Sequence, residues 1–201
     1  IIASPIKKAM PILSFPAIQL MGISVKELIS NSETQASAMK LLADRNDSLA
    51  AVSMMDLSVE AETFGSKIQV NDHEVRVVLG SIVKTQEDAD ALEIPEIGAG
   101  RTQIYIDAMK RAVELIEDRP VLAGVIGPFS LAGRLIGTVE IMKACKRKPE
   151  MVHSVMEKCT QFLISYINAY RKTGANGIVM AEPLTGLLSP KLAVAFSEPY
   201  V

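Results

Sequence analysis

The chain has 201 residues, of which 49% are hydrophobic and 22% charged, a composition typical of a globular domain that buries one core. Its formal net charge of −2 provides no basic field for nucleic acid, and no apolar stretch reaches the length of a membrane span. Two cysteines are too few for a secreted disulfide framework, so we expect a cytoplasmic protein.

Four short apolar segments predict buried parallel strands, at residues 12–18, 49–55, 121–126 and 178–181. Helical patterns lie between them, at residues 25–46, 101–117 and 149–173. Ser24 is a candidate cap for the first of these helices, and Gly174 ends the last. Strands that alternate with helices predict a parallel sheet with the helices packed outside it.

Two further segments interrupt this alternation between the second and third predicted strands. Residues 68–70 and 75–77 alternate about a polar turn at residues 71–74, which predicts a surface β-hairpin. Residues 84–100 are polar and irregular, and we expect a linker there with one short helix.

The predicted architecture is therefore α/β, a partial (βα)8 TIM barrel of about four βα units with a hairpin insertion. Residues 1–201 are expected to form a single domain. Four strands are half of the number that closes such a barrel. An open half leaves two unpaired strand edges, so we expect more chain or a second copy, as a homo-oligomer, to cover them.

Two carboxylates follow predicted strands. Asp56 comes after the second strand and Glu182 after the fourth. Because the carboxyl ends of parallel strands share one rim of a barrel, where barrel enzymes keep their chemistry, we predict Asp56 and Glu182 as catalytic residues. The alternative is an exposed loop acid for Glu182 and a helix or loop cap for Asp56.

The turn between the third strand and the following helix is a second candidate region. We predict substrate contacts from Gly127, Phe129 and Ser130 in this turn, and from Met55 at the same rim. If Ser130 caps the helix, the free amide hydrogens of the helix start can bind an anion. A simple packing turn is the alternative, because the segment lacks the spaced glycines of a phosphate-binding loop.

Soft metal ligands are scarce in the chain. They are His73 in the presumed hairpin turn, His153, Cys145 and Cys159. The spacing of His153 and Cys159 places them roughly 120° apart around one helix, so they cannot chelate one ion together. We predict no metal site within the chain and no Cys/His nucleophile.

Three segments carry a family resemblance: residues 54–65 (MMDLSVEAETFG), residues 127–132 (GPFSLA) and residues 174–200. They resemble the uroporphyrinogen decarboxylase superfamily, and within it most closely the methylcobamide:coenzyme M methyltransferases. The likeness extends over essentially the whole chain. It implies a (βα)8 barrel of which this chain is the N-terminal portion. It also implies a zinc-bound thiolate that accepts a methyl group from a corrinoid on a partner protein.

Two departures from the family pattern bear on function. Uroporphyrinogen decarboxylases carry an Arg-Gln-Ala-Gly-Arg motif after the first strand, whose arginines bind substrate carboxylates. This chain has FPAIQL at residues 15–20, which disfavours decarboxylation of an anionic tetrapyrrole. In the methyltransferases, a His-x-Cys motif and a later cysteine bind zinc after the segment matching Pro199 and Tyr200. We therefore expect the zinc ligands downstream of this chain, and no activity from these residues alone.

The resemblance thus implies a zinc-dependent methyltransferase that moves a methyl group from a methylated corrinoid protein to a small thiol such as coenzyme M. Two alternatives stay open. One is a corrinoid-dependent methyltransferase with a folate acceptor. The other is a non-catalytic module that binds a corrinoid, or a tetrapyrrole as uroporphyrinogen decarboxylases do.

Overall fold

A computed structural model describes residues 7–69, 72 and 77–201 of the chain. The strands are β1 (Ala51–Val52), β2 (Lys67–Gln69), β3 (Val77–Leu79), β4 (Val121–Ile126) and β5 (Gly177–Ala181). Strands β1, β4 and β5 form a parallel sheet in the order β1-β4-β5, and β2 pairs antiparallel with β3. Long crossovers join the three parallel strands.

The helices are α1 (Pro16–Met21), α2 (Val25–Ser30), α3 (Ser32–Arg45), α4 (Val59–Thr63), α5 (Gln86–Ala91), α6 (Thr102–Leu115), α7 (Pro128–Ile136), α8 (Thr138–Arg147), α9 (Pro149–Lys172) and α10 (Pro190–Phe196). Short 3-10 turns follow at Thr185–Leu187 and Glu198–Tyr200. Among the described helices, none is both long and apolar enough to cross a membrane.

The α/β architecture of a partial barrel is confirmed, but the first predicted strand is wrong. Residues 12–18 form no strand, and Pro16 instead begins α1, where its missing N–H and fixed φ suit a first helical turn. Gly22 ends that helix with φ +66°, in the left-handed region. The parallel sheet within the described residues therefore has three strands instead of four.

The second predicted strand is shorter than expected, because the Ser53 side chain takes the place of a backbone partner in its hydrogen bonding to β4. The backbone N–H of Gly124 on β4 donates to the Ser53 hydroxyl at 2.8 Å, directly after β1 ends. The third and fourth strands match their predictions, with Leu122 paired to Gly177 and Ile126 to Ala181.

The predicted hairpin is present as an antiparallel pair of strands, but with other bounds: β2 covers residues 67–69, and β3, at residues 77–79, shares only Val77 with the predicted second strand. Lys67 pairs with Leu79 and Gln69 with Val77. Of its turn, residue 72 is described, and residues 70, 71 and 73–76 lie outside the described part of the chain, His73 among them. The expected short helix of the linker is α5.

The predicted helix at residues 25–46 is two helices. Ser24 caps α2 as predicted, in a capping box with Glu27. Asn31 is extended at φ −136° and ψ 121°, and its side chain accepts the Thr34 N–H at the start of α3. Asn31 therefore caps the start of α3 at the break between the two helices.

The core lies between the parallel sheet and the helices. Helix α9 contributes a fully buried stripe at the predicted helical spacing: Val152, Val155, Met156, Cys159, Phe162, Leu163, Tyr166 and Tyr170. Strand β5, at the edge of the sheet, is partly exposed along its whole length. The described residues thus form one packed layer of helices with an open sheet edge.

Candidate functional site at the carboxyl edge of the sheet

The predicted site residues lie at one edge of the parallel sheet. Asp56 follows β1, Gly127 follows β4 and Glu182 follows β5, and the three strands run in the same direction. Their carboxyl ends therefore meet at a common edge. The two predicted carboxylates are held there in two different networks, one built on α6 and one on α7.

The Asp56 cluster consists of Asp56, Ser58, Glu62, Arg101 and Tyr105. One oxygen of Asp56 accepts the backbone N–H of Ser58 at 3.0 Å and its hydroxyl at 2.6 Å. The other accepts from Arg101 at 2.6 Å and from the Tyr105 hydroxyl at 3.2 Å. The Asp56 side chain is fully enclosed, so its carboxylate is bound within the protein on all sides.

Arg101 is the centre of this cluster. Its guanidinium also donates to Glu62 at 2.6 Å and to the Ser58 hydroxyl at 3.0 Å. Burial opposes its charge, but Asp56, Tyr105 and Glu62 together outweigh burial and raise the pKa of Arg101 above its usual range. Burial raises the pKa of Tyr105 as well, so Tyr105 stays a neutral donor to Asp56. The network ties α6 to the loop after β1.

Glu60 is a buried carboxylate that the sequence interpretation missed. It lies in the first turn of α4 and is 3% exposed. One oxygen accepts the N–H of Ile126, the last residue of β4, at 3.2 Å. The other is buried with no hydrogen-bond partner among the described residues. Burial, reinforced by Asp56, raises the pKa of Glu60 to about 7.

A signal for Glu60 was present in the sequence. It lies four residues after Asp56 inside the segment that carries the family resemblance, but its burial depends on Ile126, which is distant along the chain. Sequence spacing alone does not reveal such a contact.

Glu182 fills the start of α7. Its carboxylate accepts the backbone N–H of Phe129 at 3.0 Å and that of Ser130 at 2.7 Å. Burial raises the pKa of Glu182, against the opposing effect of its hydrogen bonds with Ser130 and Phe129. The helix start does bind an anion, as its free N–H groups favour, and that anion is a side chain of the same protein.

Ser130 does not cap its own helix. Gly127 is the N-cap residue of α7 and no side chain of the cap donates or accepts there. The Ser130 hydroxyl instead accepts the N–H of Leu184 at 3.0 Å, which ties the loop after β5 to α7. The prediction that Ser130 caps α7 is therefore wrong. The physical reason is that the free N–H groups at the start of α7 already donate to Glu182.

The other predicted substrate contacts differ in accessibility. Phe129 and Ser130 are 0% and 1% exposed, so both are packing residues in this structure. Position 127 needs a glycine to leave room for Glu182, because a Cβ added to Gly127 would lie 2.1 Å from an oxygen of the Glu182 carboxylate. Met55 is partly exposed and lies over Gly124, where an added Cβ would be 2.6 Å from the Met55 Cγ.

The soft ligands of the described residues do not suit zinc. Cys145 and Cys159 are buried, and burial raises the pKa of Cys145 to about 11 and that of Cys159 further. In the absence of a metal ion such thiols stay protonated. His153 shares a hydrogen bond of 2.7 Å with the Tyr200 hydroxyl and stacks on Phe196. Across residues 7–69, 72 and 77–201, no three His, Cys, Asp or Glu side chains are placed to hold a metal ion.

Comparison with known proteins identifies a family to which the sequence is similar. The sequence model of one family, described as Uroporphyrinogen decarboxylase (URO-D), matches residues 2–201. A methylcobamide:CoM methyltransferase, MtbA of Methanosarcina acetivorans, is 28% identical over 149 residues, which are 72% of this chain and 44% of that relative. A uroporphyrinogen decarboxylase of Desulfotalea psychrophila is 28% identical over 160 residues, 76% of this chain and 46% of the relative.

A solved structure gives the same fold. A methyltransferase from Methanosarcina mazei superposes with a TM-score of 0.87 at 22% sequence identity, over 98% of this chain and 61% of that chain. The chain therefore spans about half the length of the curated relatives it matches, and somewhat more of the solved structure.

Proposed function

Because the chain belongs to the uroporphyrinogen decarboxylase family, we propose that the protein it represents is a corrinoid-dependent methyltransferase. The proposed reaction moves a methyl group from a methylated corrinoid protein to a small thiol such as coenzyme M. Two kinds of relative support this choice: the methylcobamide:CoM methyltransferase, and a methylated-thiol–coenzyme M methyltransferase of Methanosarcina mazei that is 26% identical over 138 residues.

The observation that favours methyl transfer over decarboxylation is the charge of α1 and its flanks. Residues 9–25 contain no lysine or arginine. Phe15 and Leu20 are 41% and 45% exposed in this segment, and its exposed polar side chain, Gln19, is uncharged. A substrate with several carboxylates needs cationic partners, whereas a thiol acceptor places no such demand on this segment.

Within this proposal, Asp56 and Glu182 are positioning residues. Asp56 has all its acceptor positions occupied by protein donors, which fix α6 and the loop after β1. Glu182 holds the start of α7 at the carboxyl edge. Met55, which is partly exposed at that edge, is the proposed contact with the substrate. The catalytic assignment of the two acids stays a prediction.

Zinc does not fit the described residues of this chain, so we assign it none of them. In the proposed enzyme it is held by residues outside this chain, where a bound zinc ion would keep the acceptor thiol deprotonated. The corrinoid is carried by a partner protein. A cytoplasmic location and a homo-oligomer formed through the open sheet edge belong to the same proposal.

The acceptor is tested with the complete protein that contains this chain. Free methylcobalamin serves as the methyl donor, and coenzyme M and tetrahydrofolate are supplied in separate reactions. We expect methylated coenzyme M and loss of the methylcobalamin absorption. Transfer to tetrahydrofolate alone would replace the thiol acceptor by the folate alternative.

A further inference from the structure

A concave site lies away from the two carboxylate networks. It is a cleft of about 600 Å³ between the segment after β3, the end of α7, helix α8 and the first turn of α9. Val83, Ile136 and Met151 line it and are each at most 3% exposed, so its floor is apolar and packed. This volume lies within the range of small-molecule sites.

The rim of the cleft is cationic, although the chain as a whole is acidic. Lys84, Lys143, Arg147 and Lys148 line it, and Glu140 is the single carboxylate among the described lining residues. Lys143 and Glu140 form only a loose pair, at 3.9 Å and with both side chains exposed. The Arg147 guanidinium has no ion-pair partner within the part of the chain that the structure describes.

The cations at the rim repel one another when the cleft is empty. Lys143 and Arg147 are four residues apart on α8 and therefore share one helix face, where like charges destabilise a helix. Glu140 lies against Gly137 at the start of α8, where an added Cβ would be 2.8 Å from its carboxylate oxygen. An anion in the cleft would relieve the repulsion among the cations.

The walls of the cleft are already fixed. The N–H groups of Ile82 and Val83 both donate to the carbonyl of Leu135, at 2.9 and 3.1 Å. The ammonium of Lys148 donates to the carbonyl of Lys84 at 3.0 Å, which joins the two sides of the rim. A ligand would therefore enter a preformed site, which favours binding because little ordering remains.

We propose that this cleft binds a small organic phosphate, with the apolar part of the molecule on the floor and the phosphate at the cationic rim. A phosphate dianion matches a guanidinium fork with neighbouring ammonium groups better than a single carboxylate does. The concave shape favours a small molecule over the flat face of an acidic protein.

Calorimetric titration of the 201-residue chain tests the proposal, with phenyl phosphate as the probe and inorganic phosphate and phenol as separate arms. We expect saturable one-to-one binding of phenyl phosphate, weakened by added salt. Inorganic phosphate should bind at least about tenfold more weakly, because it gains nothing from the apolar floor, and phenol should not bind measurably.

Variants locate the binding. Lys143→Ala/Arg147→Ala should weaken phenyl phosphate binding by about tenfold or more, since two charge-assisted contacts are lost. Lys146→Ala is the matched control, because Lys146 is an exposed cation of α8 that does not line the cleft, and its affinity should stay within about twofold. Arg147→Glu alone provides a second variant if the double substitution fails to fold.

Three results would overturn the proposal. One is the absence of saturable phenyl phosphate binding. Another is equal loss of binding in Lys146→Ala and in the cleft variants. The third is binding of a polyglutamate peptide without binding of phenyl phosphate, which would assign the cationic rim to an acidic protein instead.

Discussion

At the scale of single residues, buried and half-buried carboxylates distinguish this edge of the sheet. Asp56 is fully paired, Glu182 accepts two N–H groups, and Glu60 keeps one oxygen without a partner among the described residues. An unpaired buried oxygen favours the protonated acid, whereas paired oxygens favour the carboxylate. The three acids should therefore respond differently to pH and to substitution.

Glu60 should make stability fall as pH rises. Its folded-state pKa is raised from 4.5 to about 7, so between these values the folded chain keeps a proton that the unfolded chain releases. Unfolding is favoured progressively across that window, by about 3 kcal/mol in total. Urea unfolding of Glu60→Gln and the natural chain at pH 4.5 and pH 8 should show similar stability at the lower pH and a more stable variant at the higher.

Glu117→Gln is the control for this measurement, because Glu117 is an exposed acid after α6. Its stability should follow that of the natural chain at both pH values. A Glu60→Gln variant whose stability falls with pH as steeply as that of the natural chain would contradict the burial of an ionisable Glu60.

Asp56→Ala should be strongly destabilising. Among the residues that the structure describes, the substitution leaves buried Arg101 with Glu62 alone as an ion-pair partner, and breaking a buried pair from one side costs about 3–5 kcal/mol. Asp56→Ala combined with Arg101→Met should lose less than the two single substitutions added together, because the unpaired charge is gone. Denaturant midpoints of the four chains measure this coupling, and strictly additive losses would contradict the network.

At the scale of elements, the start of α7 depends on one close approach. Gly127 has ordinary extended backbone angles, φ −81° and ψ 158°, so alanine suits its conformation. The obstacle is Glu182, whose carboxylate lies where the Cβ would be placed. Gly127 is therefore needed because it leaves space for the Glu182 side chain, and not because its backbone conformation requires glycine.

Gly127→Ala should destabilise the chain by about 2 kcal/mol, through displacement of Glu182 from the N–H groups of α7. In a Glu182→Ala background the same substitution should have a smaller effect, since the obstructing carboxylate is absent and the Cβ of residue 182 remains, at 2.9 Å from the added Cβ. Thermal unfolding of the four chains gives the coupling. Gly186→Ala is the matched control, because nothing lies within 4 Å of its added Cβ. Equal effects of Gly127→Ala in both backgrounds would contradict the contact.

Local patterns predicted the elements whose signals lie within one segment. The strand at residues 121–126 and the long helix α9 appear with nearly the predicted bounds, because apolar runs and helical periodicity are local. Residues 12–18 have the apolar content of a strand, but the prolines at positions 11 and 16 favour the observed helix start.

The site was harder to predict than the fold. The strand ends placed Asp56 and Glu182 at one edge of the sheet, but sequence could not show what each carboxylate binds. Arg101 lies 45 residues from Asp56, and the Phe129 N–H lies 53 residues from Glu182. Such contacts depend on how helices pack across the sheet, which spacing along the chain does not encode.

At the scale of the whole molecule, the sheet has an uncovered edge. Strand β5 lies at that edge with partly exposed residues throughout, and unpaired backbone groups there are a template for another strand. We expect the 201-residue chain to self-associate. Sedimentation velocity should show a dimer or larger species that increases with concentration, and a stable monomer across the range would contradict the expectation.

The family relation supports the proposed function, and the absence of Lys and Arg in residues 9–25 favours methyl transfer over decarboxylation. The most direct test gives the complete protein methylcobalamin with coenzyme M in one reaction, and uroporphyrinogen in another. We predict methylated coenzyme M and unchanged uroporphyrinogen. Decarboxylation of uroporphyrinogen without any methyl transfer would contradict the account.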